Sequence, residues 1–114
     1  MLLLLAAACD ADPVPPVATD PVDEVPAACV GAPAVTWESW GEGFFRTYCN
    51  ACHAADTPDR RGAPAGVDFD TWAGVTASSA RVRARVLEEG TMPVGGGLDP
   101  DELALLEVLL TCAR

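Results

Sequence analysis

Two cysteines and a histidine stand together at Cys49-Asn50-Ala51-Cys52-His53, a CxxCH spacing with a specific chemical use. Thiols one helical turn apart can each add to a vinyl group of a haem, and the histidine that follows can bind the iron through a ring nitrogen. One pentapeptide would then supply both the covalent tether and the first axial ligand of a single haem c. The same residues have two competing uses, as half of a zinc site or as a redox dithiol. A structural zinc site wants four protein ligands, and a thioredoxin-like dithiol wants a βαβ context that this chain does not present.

Counting ligands narrows the haem type. His53 is the only histidine and there is no lysine, so within one molecule neither can fill the second axial position. Methionine remains. Met1 belongs to the extreme N-terminus, which leaves Met92, in Gly90-Thr91-Met92-Pro93, as the candidate distal ligand. The competing reading of a lone methionine is apolar packing.

The elements that must position these groups read as helices. Thr36 is placed to cap a first helix with Glu38 in its first turn, running up to Cys49. Trp37, Trp40, Phe44 and Tyr48 recur at helical spacing, with Gly41 and Phe45 on an adjacent stripe. Gly41 and Gly43 cost about 1 kcal/mol each relative to alanine inside a helix, so both suggest close packing, with the last helix as partner.

That last helix is announced by Leu98-Asp99-Pro100-Asp101-Glu102-Leu103: an N-cap aspartate, proline at N1, glutamate at N3 and leucines placed for a hydrophobic staple. Leu103, Leu106, Leu109 and Leu110 would form its apolar face. Between the outer helices, Asp70 to Val75 suits a short helix and Ser79 to Glu89 another, stopped by Gly90. Val82, Val86 and Leu87 would face inward there, and Arg81, Arg83 and Arg85 outward. No strand alternation is evident. The expected class is all-α.

With these elements in order, residues 35 to 112 resemble a small class I cytochrome c. In that family a glycine and an aromatic stand eight and four residues before the first haem cysteine, where the N- and C-terminal helices cross; Gly41 and Phe45 occupy those places. The Met-Pro loop and leucine-rich terminal helix match Met92-Pro93 and Leu103 to Leu110. The resemblance implies a helical fold wrapped around one covalent haem, with His53 and Met92 as its axial pair. It also implies that Pro64 lends its carbonyl to the second nitrogen of His53. Trp72 and Tyr48 become candidates for the haem pocket, Trp72 having a plain core role as its alternative. A departure from the family is Gly95-Gly96-Gly97 beside the ligand loop.

Charge and cysteines bear on compartment and partners. The net charge is −10, of which −5 precedes Cys29 with no basic residue to balance it. Nucleic acid is excluded as a natural partner. An acidic surface can steer towards basic redox partners, or it can simply keep the protein soluble.

Met1 is followed by four leucines and Ala6-Ala7-Ala8-Cys9, an apolar run too short to span a bilayer. Residues 1–8 read as an export signal resembling that of bacterial lipoproteins, in which the resemblance makes Cys9 the lipidated residue; a plain cleaved signal is the alternative. Residues 9–28, acidic and proline-rich, read as a tether, and residues 29–114 as the haem domain. With Cys49 and Cys52 given to haem and Cys9 to lipid, Cys29 and Cys112 remain, either as a disulfide or as two free buried thiols. Disulfides and c-type haem both belong to oxidising compartments in bacteria.

The functional expectation is electron transfer by an exported, membrane-tethered protein that exchanges electrons with redox partner proteins and transforms no substrate. No nucleophile stands with a base to suggest otherwise. Two alternatives remain: a haem sensor or peroxidase-like protein whose Met92 leaves the iron, motivated by the glycine run, and a haem subunit of a larger oxidoreductase.

Overall fold

Thr36 begins the folded helices by exchanging two hydrogen bonds with Ser39. Its hydroxyl accepts the Ser39 N–H at 3.0 Å and its own N–H is accepted by the Ser39 hydroxyl at 3.0 Å, a reciprocal cap. The structure, a computed structural model, describes residues 25–113. The expected leader over 1–8, Cys9 and most of the tether lie outside the described residues.

From Thr36 the chain makes a wide π-helical turn, Trp37–Gly41, and continues as helix α1, Glu42–Tyr48. A break at Cys49 precedes the short helix α2, Asn50–His53. A long loop then leads to α3, Trp72–Ala77, and to α4, Ser79–Val82, which runs on as a π-helical segment, Arg83–Glu88. Helix α5, Pro100–Cys112, closes the fold. There is no strand among the described residues, so the all-α expectation holds.

Both caps anticipated from sequence are present. At α5 the Asp99 carboxylate accepts the Glu102 N–H at 2.8 Å and Glu102 accepts the Asp99 N–H at 3.1 Å, with Pro100 at the first helical position where its missing N–H costs nothing. The middle region differs by two residues. Asp70 is drawn away to accept the Ala55 N–H at 2.7 Å, so Thr71 caps α3 instead, accepting the Gly74 N–H at 3.1 Å. Gly74 has no freedom to change: a Cβ there would collide with the Asp68 carbonyl oxygen.

The core is aromatic and aliphatic, with no buried polar residue among those described. Phe45, Val75, Leu106 and Leu109 are the most completely enclosed, joined by Val35, Phe44, Phe69 and Val82. Gly41 lets α5 approach, since a Cβ on it would meet Leu109 Cδ2 and Trp37 Cε3, each at 3.0 Å. Gly43 has nothing near it and is exposed. The expectation of close packing is corrected there, because a residue two positions on points some 200° around a helix at ~3.6 residues per turn.

Two further side chains differ from expectation. Leu103 is only half-buried while Leu105 and Val108 pack against the core. Arg83 does not point freely outward: its guanidinium donates to both Glu107 carboxylate oxygens at 2.7 Å and to the Thr111 hydroxyl at 2.8 Å, tying the π-helical segment to α5. Arg81 and Arg85 are exposed as anticipated.

Cys29 and Cys112 form a disulfide, 83 residues apart in sequence. The alternative of two free thiols falls. The bond fastens the turn Ala27–Cys29 to the end of α5.

Candidate functional site

Around His53 the chain folds back on itself. Helix α2 begins as Cys52 and His53 donate their N–H groups to the Cys49 carbonyl at 3.2 and 3.0 Å. The returning loop then supplies Phe69, whose N–H donates to the His53 carbonyl at 2.7 Å and whose ring lies 4.8 Å from the imidazole, centroid to centroid. Asn50, between the two cysteines, donates its side-chain amide to the Phe69 carbonyl at 3.3 Å. The loop is thereby stitched to both sides of the motif.

The imidazole itself is held through one nitrogen. His53 Nδ1 stands 2.9 Å from the Val67 carbonyl oxygen; a carbonyl can only accept, so Nδ1 carries a proton, and in the neutral ring the lone pair is then on Nε2. An iron-binding histidine needs this arrangement, one nitrogen anchored by a hydrogen bond and the other free to ligate. The residues present fit a haem in this respect. The anchoring carbonyl is corrected from Pro64 to Val67. The Pro64 carbonyl is occupied otherwise, accepting from Arg60 Nη2 at 2.8 Å and from the Val67 N–H at 3.2 Å.

Cys49 and Cys52 are both half-buried and are not bonded to each other. Burial pushes the Cys49 thiol up to about 12. A nucleophilic dithiol needs a depressed value, so the site is poorly made for thiol exchange. Among the described residues no three His, Cys, Asp or Glu side chains converge as metal ligands.

Met92 stands on a separate segment. Its N–H donates to the carbonyl of Arg85, within the π-helical segment, at 3.1 Å, and the residue is 38% exposed. Tyr48 turns towards α5, donating its hydroxyl to Glu102 Oε1 at 2.6 Å. That bond, with partial burial and the neighbouring carboxylates, raises the phenol above its ordinary value. Trp72 is half-buried against the core, its ring 6.0 Å from that of Trp37. A shallow groove of about 330 Å³ runs past Trp40, Phe44 and Tyr48, and a smaller depression of about 110 Å³ lies between Trp37 and Trp72. Neither is lined by Cys49, Cys52 or His53.

The structure therefore brings together Cys49, Cys52 and His53, and adds Val67, Phe69 and Arg60, which sequence reasoning missed. The only signal for them was an apolar pair, Val67 and Phe69, within a loop otherwise rich in Gly, Pro and Asp. No helix among the described residues is long and apolar enough to cross a membrane. Comparison of the chain with family models, curated proteins and solved structures finds no match.

Proposed function

We propose that the chain carries one c-type haem, covalently joined to Cys49 and Cys52, ligated by His53 and Met92, and serves as an electron carrier. The observation that carries this reading is the His53 imidazole held at Nδ1 by the Val67 carbonyl, which leaves Nε2 as the nitrogen for ligation. The crossing of the π-helical turn Trp37–Gly41 with α5, where Gly41 meets Leu109, supports a class I cytochrome c fold.

Each residue has a limited task. The two cysteines bind the group covalently, the Val67 carbonyl fixes the tautomer and orientation of His53, and Phe69 packs against its ring. When bound, the haem supplies an iron that gains and loses one electron, with a methionine ligand favouring the ferrous state. No side chain is required to move a proton. The partners are redox proteins, donor on one side and acceptor on the other. The Cys29–Cys112 bond supports an oxidising location outside the cytoplasm, and a lipid on Cys9 would hold the domain at a membrane surface.

The exposure of Met92 favours a second reading, a sensor or peroxidase-like protein in which methionine leaves and a small molecule binds. Absorption spectroscopy of the oxidised protein separates the two. A carrier shows the far-red sulfur-to-iron charge-transfer band, abolished in Met92→Ala; a high-spin resting state that binds carbon monoxide readily would reject the carrier in favour of the sensor. Docking as a subunit of a larger oxidoreductase would be revealed by co-purification at fixed stoichiometry.

A further inference from the structure

Arg60 is half-buried in the loop that returns to His53, and its guanidinium is spent almost entirely on that loop. Nη1 donates to the Ala54 carbonyl at 2.8 Å, Nε to Ala63 at 3.3 Å, and Nη2 to Pro64 at 2.8 Å and to Val67 at 3.2 Å. The Val67 carbonyl is the same oxygen that lies 2.9 Å from His53 Nδ1. One acceptor thus serves two donors, an imidazole and a cation. Asp68 Oδ1 lies 2.7 Å from Nη2 but outside hydrogen-bonding direction, so it balances the charge of Arg60 without replacing any of its carbonyl partners.

We propose that Arg60 is a positioning residue for His53: by sharing the Val67 carbonyl it limits how strongly that oxygen draws on the Nδ1 proton, and so lowers the donor strength of the imidazole. This deepens the haem reading and rests on it. A carbonyl oxygen has two lone pairs and finite electron density. A charged donor on one of them, even at the longer 3.2 Å, draws off part of the density that the imidazole at 2.9 Å would otherwise hold, leaving the imidazole less like an imidazolate. A hydrogen bond at the second nitrogen ordinarily raises the basicity of a ligating histidine, and Arg60 moderates that effect. A weaker donor opposite methionine favours ferrous over ferric iron, so Arg60 raises the reduction potential. Because Asp68 neutralises the guanidinium locally, the effect acts through the bond to Val67 rather than through net charge.

The test compares wild-type holoprotein with the charge-balanced double variant Arg60→Met/Asp68→Asn and with Arg60→Lys, which keeps the charge but loses the fork of donors. Haem content is measured first by pyridine haemochrome. Potentiometry then gives the midpoint, and proton NMR of the ferrous form gives the His53 Nδ1–H resonance, which moves downfield as its hydrogen bond strengthens. Both variants are expected to show a lower potential and a downfield Nδ1–H shift. If wild type carries no covalent haem, the functional reading itself has failed. If haem is bound but either quantity matches wild type in the double variant, Arg60 does not tune His53. Should the double variant lose its helical circular dichroism, Arg60→Lys decides by the same two readings. A potential that falls there without a shift of Nδ1–H overturns the proposal.

Discussion

Cys49 and His53 are four residues apart, yet the fold treats them differently. The imidazole is pinned by Val67 and packed by Phe69, whereas the Cys49 thiol is simply buried, which pushes it up to about 12 from its ordinary 9.0. The reactive form of a cysteine is the thiolate, so between about pH 9 and 12 this thiol stays protonated and slow to react. Alkylation of Cys49 in apoprotein carrying Cys52→Ala should accelerate with a midpoint near 12; acceleration centred near 9 would contradict the burial. The sign for folding follows. Below about 9 the folded and unfolded chains are equally protonated at this group, and as pH rises towards 12 only the unfolded chain releases the proton, so the apoprotein loses stability across that window. At this scale the CxxCH spacing was legible in the chain because it is local. The Val67 partner and the Arg60 bonds were not, because they depend on how a loop without periodicity returns to its starting point.

Helix boundaries were read more successfully than helix faces. The caps at Thr36 and Asp99 rest on side chains three residues from their partners, and so they could be seen in sequence. Which glycine faces α5 could not be settled by composition, since Gly41 and Gly43 differ only in direction. The structure turns this into a paired experiment. Gly41→Ala gains about 1 kcal/mol of helix propensity but meets Leu109 and Trp37 at 3.0 Å, and overpacking of about 1–3 kcal/mol should leave it less stable than wild type. Gly43→Ala meets nothing and should be more stable by up to about 1 kcal/mol. Urea unfolding of the two variants reads both signs, and equal effects would contradict the crossing geometry. The shift of the third helix from Asp70 to Trp72 has a similar lesson. Asp70 is a good capping residue, but its carboxylate is committed to Ala55 across the loop, a tertiary bond that local propensity does not contain.

Residues 25–113 form a small all-α unit whose first turn and last helix are fastened together by Cys29 and Cys112. A bond closing a loop of 83 residues restricts the unfolded chain more than the folded one, and typical disulfides contribute about 2–4 kcal/mol. Cys29→Ser/Cys112→Ser should therefore unfold at lower urea, by a difference in that range; an unchanged midpoint would show that the ends are held by packing alone. The pairing was legible only by elimination, once the other cysteines had been given to the proposed haem and lipid. A core this modest would gain from a large apolar body at its centre. Pyridine haemochrome analysis of the protein produced together with a haem-attachment system tests the central claim most directly. The account predicts one covalently bound c-type haem per chain, lost when Cys49 and Cys52 are both replaced by alanine; folded protein that leaves that system without covalent haem would contradict it.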